Sequence, residues 1–169
     1  RSTHCISSAA SDVYKRQVDI VLERFPATLE LAFLAMFFSI ILGIPMGVIA
    51  SVKPKSILSR SIMFFSLAGI SIPVFWTGMV FVLICSVYLG ILPSSGRGEV
   101  LYFTSAFTWD GIKHLIMPVI TLTLFQLALI IRLTRTGMME VLMQDYIKLA
   151  KAKGLPNRIV IYYHALKNT

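Results

Sequence analysis

The sequence predicts an all-α integral membrane protein with several transmembrane helices. Three observations carry that expectation. The 169 residues are 56% hydrophobic and only 14% charged, whereas a soluble globular domain is about 25% charged. Long internal runs lack any Asp, Glu, Lys or Arg. The net charge of +8 is concentrated in two segments that flank those runs. So much apolar surface cannot be hidden from water by so few polar groups, and lipid is its natural solvent.

The first charge-free run, 22 residues between Glu30 and Lys53, matches the roughly 20 apolar residues that cross the hydrocarbon as a helix. A span is expected at about 29–50. The second run, 36 residues between Arg60 and Arg97, is too short for two full spans and a turn. It closes in Leu92-Pro93-Ser94-Ser95-Gly96, which reads as an interfacial turn. One span is expected there, at about 62–88. The third run, 18 residues between Lys113 and Arg132 with only His114 ionisable, predicts a span at about 114–133. All three runs are internal, and the first is too long for the apolar core of a secretory signal.

Each span holds a helix disruptor. These are Gly43-Ile44-Pro45-Met46-Gly47, then Pro73 within Ser71-Ile72-Pro73-Val74-Phe75-Trp76, then Pro118. Proline removes a backbone donor and kinks a helix. Two readings stand: a bend that shapes a pathway, or ordinary packing of membrane helices rich in Gly and Pro. Ser71 and Pro73 are therefore candidate pathway or bend positions. Gln126 is the costliest of the uncharged polar side chains to bury, and it either lines a solute path or bonds to a neighbouring helix. No Asp, Glu, Lys or Arg sits deep in a span, which weakens a proton-driven mechanism.

Segment 51–61 carries +3 and segment 132–169 carries +5, while the rest is neutral. Basic residues in short loops mark the cytoplasmic side. Both segments are expected there, with 91–112 outside. The bases flank apolar spans and form no separate basic domain, which argues against nucleic-acid binding. There is no G-x-x-x-x-G-K-[ST] phosphate loop and no catalytic motif. Cys5 and Cys85 make no disulfide framework, and His4, His114 and His164 lack metal-ligand spacing. The chain is expected to be no enzyme and to need no cofactor or metal.

The informative segment is basic and comes after the third span. Met138, Val141, Leu142, Tyr146 and Leu149 recur at helical spacing, and Glu140, Gln144, Lys148 and Lys151 occupy another face. This predicts one amphipathic helix. Gly154 stops it, and a second short helix begins after Pro156. The apolar side suits a partner groove or the lipid interface.

That segment resembles the cytoplasmic loop of binding-protein-dependent ABC permeases, whose general pattern is E-A-A-x-x-x-G. Lys148-Leu149-Ala150 stands at the E-A-A positions and Gly154 at the glycine, so the general pattern matches only at Ala150 and Gly154. The fuller stretch from Gln144-Asp145-Tyr146 through Ala150-Lys151-Ala152-Lys153-Gly154-Leu155 to His164-Ala165-Leu166 resembles the dipeptide and oligopeptide branch. Pro26-Ala27-Thr28-Leu29-Glu30-Leu31, Ser71-Ile72-Pro73-Val74-Phe75-Trp76 and Leu92-Pro93-Ser94-Ser95-Gly96 resemble that branch upstream, in the right order. The resemblance covers about residues 20–169, and nickel and glutathione permeases are similar. Residues 1–17 do not share it and are expected to be a disordered or foreign leader. Residues 18–169 would be a partial permease domain, a fragment with three of about six spans and a coupling loop at about 135–165.

The resemblance implies a fold of the type I ABC importer permease kind in a bacterial or archaeal plasma (inner) membrane. It implies a pathway for di- or oligopeptides or similar small solutes. It also implies four kinds of partner: a second permease subunit in a homo- or heterodimer, cytoplasmic ATP-binding subunits, an extracytoplasmic solute-binding protein, and the lipid itself. The residues it marks for coupling to the ATPase are Asp145, Tyr146, Lys148, Leu149, Ala150, Ala152, Gly154, Leu155 and His164. An ion-gradient-driven secondary transporter, or another polytopic membrane protein, is the alternative.

Overall fold

The computed structural model describes the backbone of residues 2–100 and 104–169, and the side chains of residues 16–100 and 104–169. Arg1 of the expected leader and positions 101–103 of the expected outer segment lie outside the described residues. Every regular element among the described residues is helical. The helices are α1 (Ser2–Val52), α2 (Ile57–Ser71), α3 (Val74–Phe81), α4 (Trp109–Leu142), α5 (Asp145–Ala152) and α6 (Asn157–Ile159). Helix α3 continues in wider π-type turns over Val82–Tyr88. Helix α6 continues likewise over Val160–Ala165 and ends in a 3-10 turn at Leu166–Asn168.

Residues 2–17 of the leader expected to be disordered or foreign are continuous with α1, which begins at Ser2. No Gly or Pro stands before Pro26 to stop a helix. At 51 residues, α1 is about 76 Å long, more than twice the roughly 30 Å of hydrocarbon. Only part of it can be immersed, and its apolar stretch lies within Arg16–Val52.

Helix α1 packs mainly along α4, and the glycines of Gly43-Ile44-Pro45-Met46-Gly47 set how closely. A Cβ on Gly43 would fall 2.7 Å from Ile130 Cγ2, and one on Gly47 would fall 2.6 Å from Thr134 Cβ. Two glycines four residues apart let helix backbones approach where lipid supplies no hydrophobic drive. The helix runs unbroken through this motif, so here the packing reading holds. The same seam carries hydroxyls. Ser39 Oγ donates to the Ala35 carbonyl at 2.6 Å, and lies 3.3 Å from the Thr123 carbonyl and 3.4 Å from Gln126 Oε1. Ser59 Oγ of α2 donates to the Ala50 carbonyl at 2.8 Å, joining α2 to the end of α1.

The second expected span is not one helix. Helix α2 ends at Ser71, Ile72 is extended (φ −92°, ψ 127°), and Pro73 (φ −59°, ψ 134°) caps α3. The helical segments on either side meet at 96°. Proline cannot donate to the carbonyl four residues back, and it pushes the residue before it out of the helical region. Two consecutive extended residues turn an expected kink into a break. Two helices, within α1 and α4, are each long and apolar enough to cross a membrane, and the bent pair makes a third crossing only if it spans as one unit.

Helix α4 is well started. Thr108 Oγ1 accepts from the Gly111 amide at 3.2 Å, and Asp110 lies in the first turn, where a negative charge favours the helix dipole. Pro118 sits inside the helix without ending it, and α4 overruns the expected 114–133 at both ends. Large apolar side chains such as Phe33, Phe64, Phe65, Leu67 and Phe75 face outward, as lipid-facing residues do.

Candidate coupling segment and outer clamp

The segment after α4 is built in two layers. The chain turns at Met143 and Gln144, where the Met143 and Gln144 amides donate to the Glu140 and Val141 carbonyls. Helix α5 then starts afresh at Asp145. This turn corrects the single amphipathic helix expected from Met138 to Lys153. Met138 is fully buried at the end of α4, but the break shifts the phase of the helix beyond it. The inward residues of α5 are Ile147, 0% exposed, and Ala150, 8% exposed. Tyr146 and Leu149, expected on the apolar inner face, are exposed instead.

Ile147 and Ala150 join Val48 of α1, Met138 of α4, and Val160 and Ala165 beyond Pro156 in one apolar cluster. Leu155, Val141 and Leu142 pack on its margin. The segment is thus seated on the ends of two long helices.

Helix α5 ends in a Schellman motif. Gly154 has φ +78°, its amide donates to the Lys151 carbonyl at 3.0 Å, and the Leu155 amide donates to the Ala150 carbonyl at 3.3 Å. Glycine adopts this left-handed geometry freely because it has no Cβ. A Cβ there would meet nothing within 4 Å, so the position is open as well as left-handed. Pro156 caps the next helix, its carbonyl accepting from the Ile159 and Val160 amides at 2.9 and 3.2 Å.

The nine sequence-selected positions therefore divide. Asp145, Tyr146, Lys148, Leu149, Ala152 and Gly154 are exposed; Leu155 and His164 are half-buried; Ala150 is buried beneath them. Lys148 Nζ donates to Asp145 Oδ1 at 2.8 Å, a solvent-exposed pair worth little to stability. Asn168 Nδ2 donates to the His164 carbonyl at 2.8 Å and lies 3.4 Å from Tyr146 Oη. The His164 ring stands edge-on to Tyr163 at 5.3 Å between centroids.

The candidate pathway positions are not gathered in one place. Ser71 and Pro73 flank the α2–α3 break and are exposed, with Ser71 Oγ donating to the Leu67 carbonyl at 2.9 Å. A cavity of about 200 Å³ lies beside this break, lined in part by Ile72, Val74, Thr77, Thr121 and Phe125. Gln126 instead approaches Ser39 of α1.

One residue escaped the sequence reading. The Glu30 side chain, only 7% exposed, binds the loop that precedes α4 to α1. Its Oε1 accepts from the Thr104 hydroxyl and from the Ser105 and Ala106 amides, the amides at 2.7 and 2.9 Å. Its Oε2 accepts from Arg97 Nη2 at 3.3 Å. The available signal was a lone acid at the head of an apolar run, with a lone arginine in the loop that returns to it.

A family model described as "Binding-protein-dependent transport system inner membrane component" matches residues 43–169. The di/tripeptide transport system permease protein DppB of Pseudomonas aeruginosa (strain UCBPP-PA14) is 42% identical over 160 residues, covering 85% of this chain and 48% of that protein. The dipeptide transport system permease protein DppB of Escherichia coli (strain K12) is 42% identical over 164 residues, covering 86% and 48%. The putrescine export system permease protein SapB of the same strain is 38% identical over 165 residues, covering 86% and 51%. The chain spans about half the length of these relatives. With three quarters of its own length matched by the family model, the chain belongs to the binding-protein-dependent transport system inner membrane components.

Proposed function

We propose that the chain is part of a permease subunit that forms the translocation pathway for di- or oligopeptides, with ATP hydrolysed by a separate cytoplasmic subunit. The observation that carries this is the two-layered segment at 143–168. Its inner layer is locked to α1 and α4, and its outer layer presents Tyr146, Lys148, Leu149 and Ala152 with a glycine turn beside them. A surface that is apolar, basic and open, on a base fixed to two long helices, suits a lever moved by a partner. The ATPase grips the outer layer, and the inner layer passes the movement to the helices as a rigid-body shift.

In this reading Ala150, Leu155 and His164 hold the lever's shape, and the exposed residues meet the ATPase. A second permease subunit completes the pathway, and an extracytoplasmic binding protein delivers the solute. Ser71 and Pro73 give the α2–α3 break its place as a hinge or pathway wall, and Gln126 steadies the α1–α4 seam. The peptide as solute is supported by the two DppB relatives at 42% identity.

The test is reconstitution of the intact transporter in proteoliposomes. Labelled dipeptide should accumulate only with ATP, the ATPase and the binding protein present. Uptake driven by an ion gradient without the ATPase would overturn the mechanism. ATP-dependent movement of putrescine but not dipeptide would overturn the solute.

A further inference from the structure

We infer that the cleft between α2 and α4, at the end of the bundle nearest the coupling segment, is a binding site for the headgroup of an anionic phospholipid. The cleft has a volume of about 530 Å³ and is lined by Arg60 of α2 and by Arg132 and Arg135 of α4, with Phe64, Leu67 and Ile70 beside them. Arg132 and Arg135 are three residues apart, so they share a helix face, and Arg60 meets them from the first turn of α2.

Among the described residues no ion pair to Arg60, Arg132 or Arg135 is present, although Glu140 stands five residues beyond Arg135. Positions 31–98 and 111–139 contain no Asp or Glu. Arg60 Nη2 donates to the Lys55 carbonyl at 3.1 Å, a neutral acceptor. Arg135 Nε is buried and has no hydrogen-bond partner among the described residues. A buried donor without an acceptor is costly. The hydroxyls that also line the cleft donate elsewhere, Ser59 to the Ala50 carbonyl and Ser66 to the Ile62 carbonyl, and as neutral oxygens they do not offset the arginine charge.

A partner that suits this cleft brings negative oxygen and tolerates an apolar wall. A phosphodiester meets the first need, because guanidinium binds phosphate through paired, charge-assisted hydrogen bonds. Acyl chains meet the second by lying along Phe64, Leu67 and Ile70, which line the cleft beside the arginines. Basic pockets between membrane helices on the cytoplasmic side are suited to anionic headgroups. The site rests on that side assignment, which the placement of basic charge supports.

The test titrates the delipidated intact transporter with phosphatidylglycerol, phosphatidylcholine or inorganic phosphate, counting bound lipid by native mass spectrometry. The wild type should prefer phosphatidylglycerol. The double variant Arg132→Gln/Arg135→Gln should bind it about tenfold more weakly or worse, the scale of two lost cation–phosphate attractions, with phosphatidylcholine unaffected. Lys113→Gln, at the far end of α4, should behave as wild type. If the double variant does not fold, Arg60→Gln carries the test, with a several-fold loss expected. Unchanged preference in the folded variants would overturn the proposal. So would displacement of the lipid by equimolar inorganic phosphate, or absence of any preference in the wild type because an acidic protein segment fills the cleft. The titration does not involve transport, so its failure and that of the coupling mechanism are separable.

Discussion

At the scale of single residues, Gly154 separates strain from contact. Its φ of +78° penalises any residue with a Cβ, and a left-handed conformation costs such a residue roughly 1–2 kcal/mol. A Cβ there meets no atom of this chain within 4 Å, so the seat of the segment is undisturbed. Gly154→Val should therefore leave membrane insertion intact and abolish solute uptake, because the added bulk points at whatever docks. Gly154→Asn, which tolerates the left-handed region, should retain more uptake than Val. Equal, near-normal uptake in both variants would remove Gly154 from coupling. Glu30 makes a different prediction. Glu30→Ala would leave the buried Ser105 amide without its acceptor, at about 1–3 kcal/mol, while the Ala106 amide would keep Thr104 Oγ1 at 3.1 Å. A cysteine placed at Ser95 should then react faster with a thiol reagent than in the parent; an unchanged rate would mean that the clamp does not hold the loop.

At the scale of elements, the positions of the helices could be read from the sequence better than their phase and continuity. Charge-free runs located α1 and α4 because a membrane demands length and apolarity, which composition records directly. The break before α3 was readable as a proline but not as a 96° turn, because the size of a bend depends on what the freed carbonyls find to bond. The phase of α5 was lost for a related reason. Periodicity assumed that Met138 through Leu149 share one helix, and the turn at Met143–Gln144 resets the count. Ile147 thereby moves inside and Leu149 outside. Ile147→Asp, a charge placed at a fully buried site, should cost far more than the roughly 1 kcal/mol of an average substitution, and should reduce the folded yield. Leu149→Asp should fold normally. Thermal unfolding in detergent distinguishes the two, and equal destabilisation would contradict the observed phase. The Gly43/Gly47 seam was visible as a motif but ambiguous in meaning, since the sequence alone does not show which helix lies opposite. Gly47→Leu should separate α1 from α4 and destabilise by about 1–3 kcal/mol, as overpacking does.

At the scale of the molecule, two attachments fix the organisation. Glu30 ties the loop that precedes α4 to one part of α1, and the Val48–Met138–Ile147 cluster ties the coupling segment to its other end. Both attachments therefore fall on one continuous helix, and the proposed coupling would move α1 and α4 together. The membrane sidedness of this arrangement is checked by labelling intact cells: cysteines at Ser56 and Asn157 should resist an impermeant thiol reagent, and one at Ser95 should react. The central claim is that the exposed layer of α5 is the surface an ATPase grips. It is tested most directly by placing a photo-crosslinking amino acid at Tyr146, Leu149 or Ile147 in the intact transporter and irradiating in the membrane. The account predicts crosslinks to the ATPase from positions 146 and 149 and none from the buried position 147. Absence of any ATPase crosslink from 146 and 149, in a transporter that still takes up solute, would contradict it.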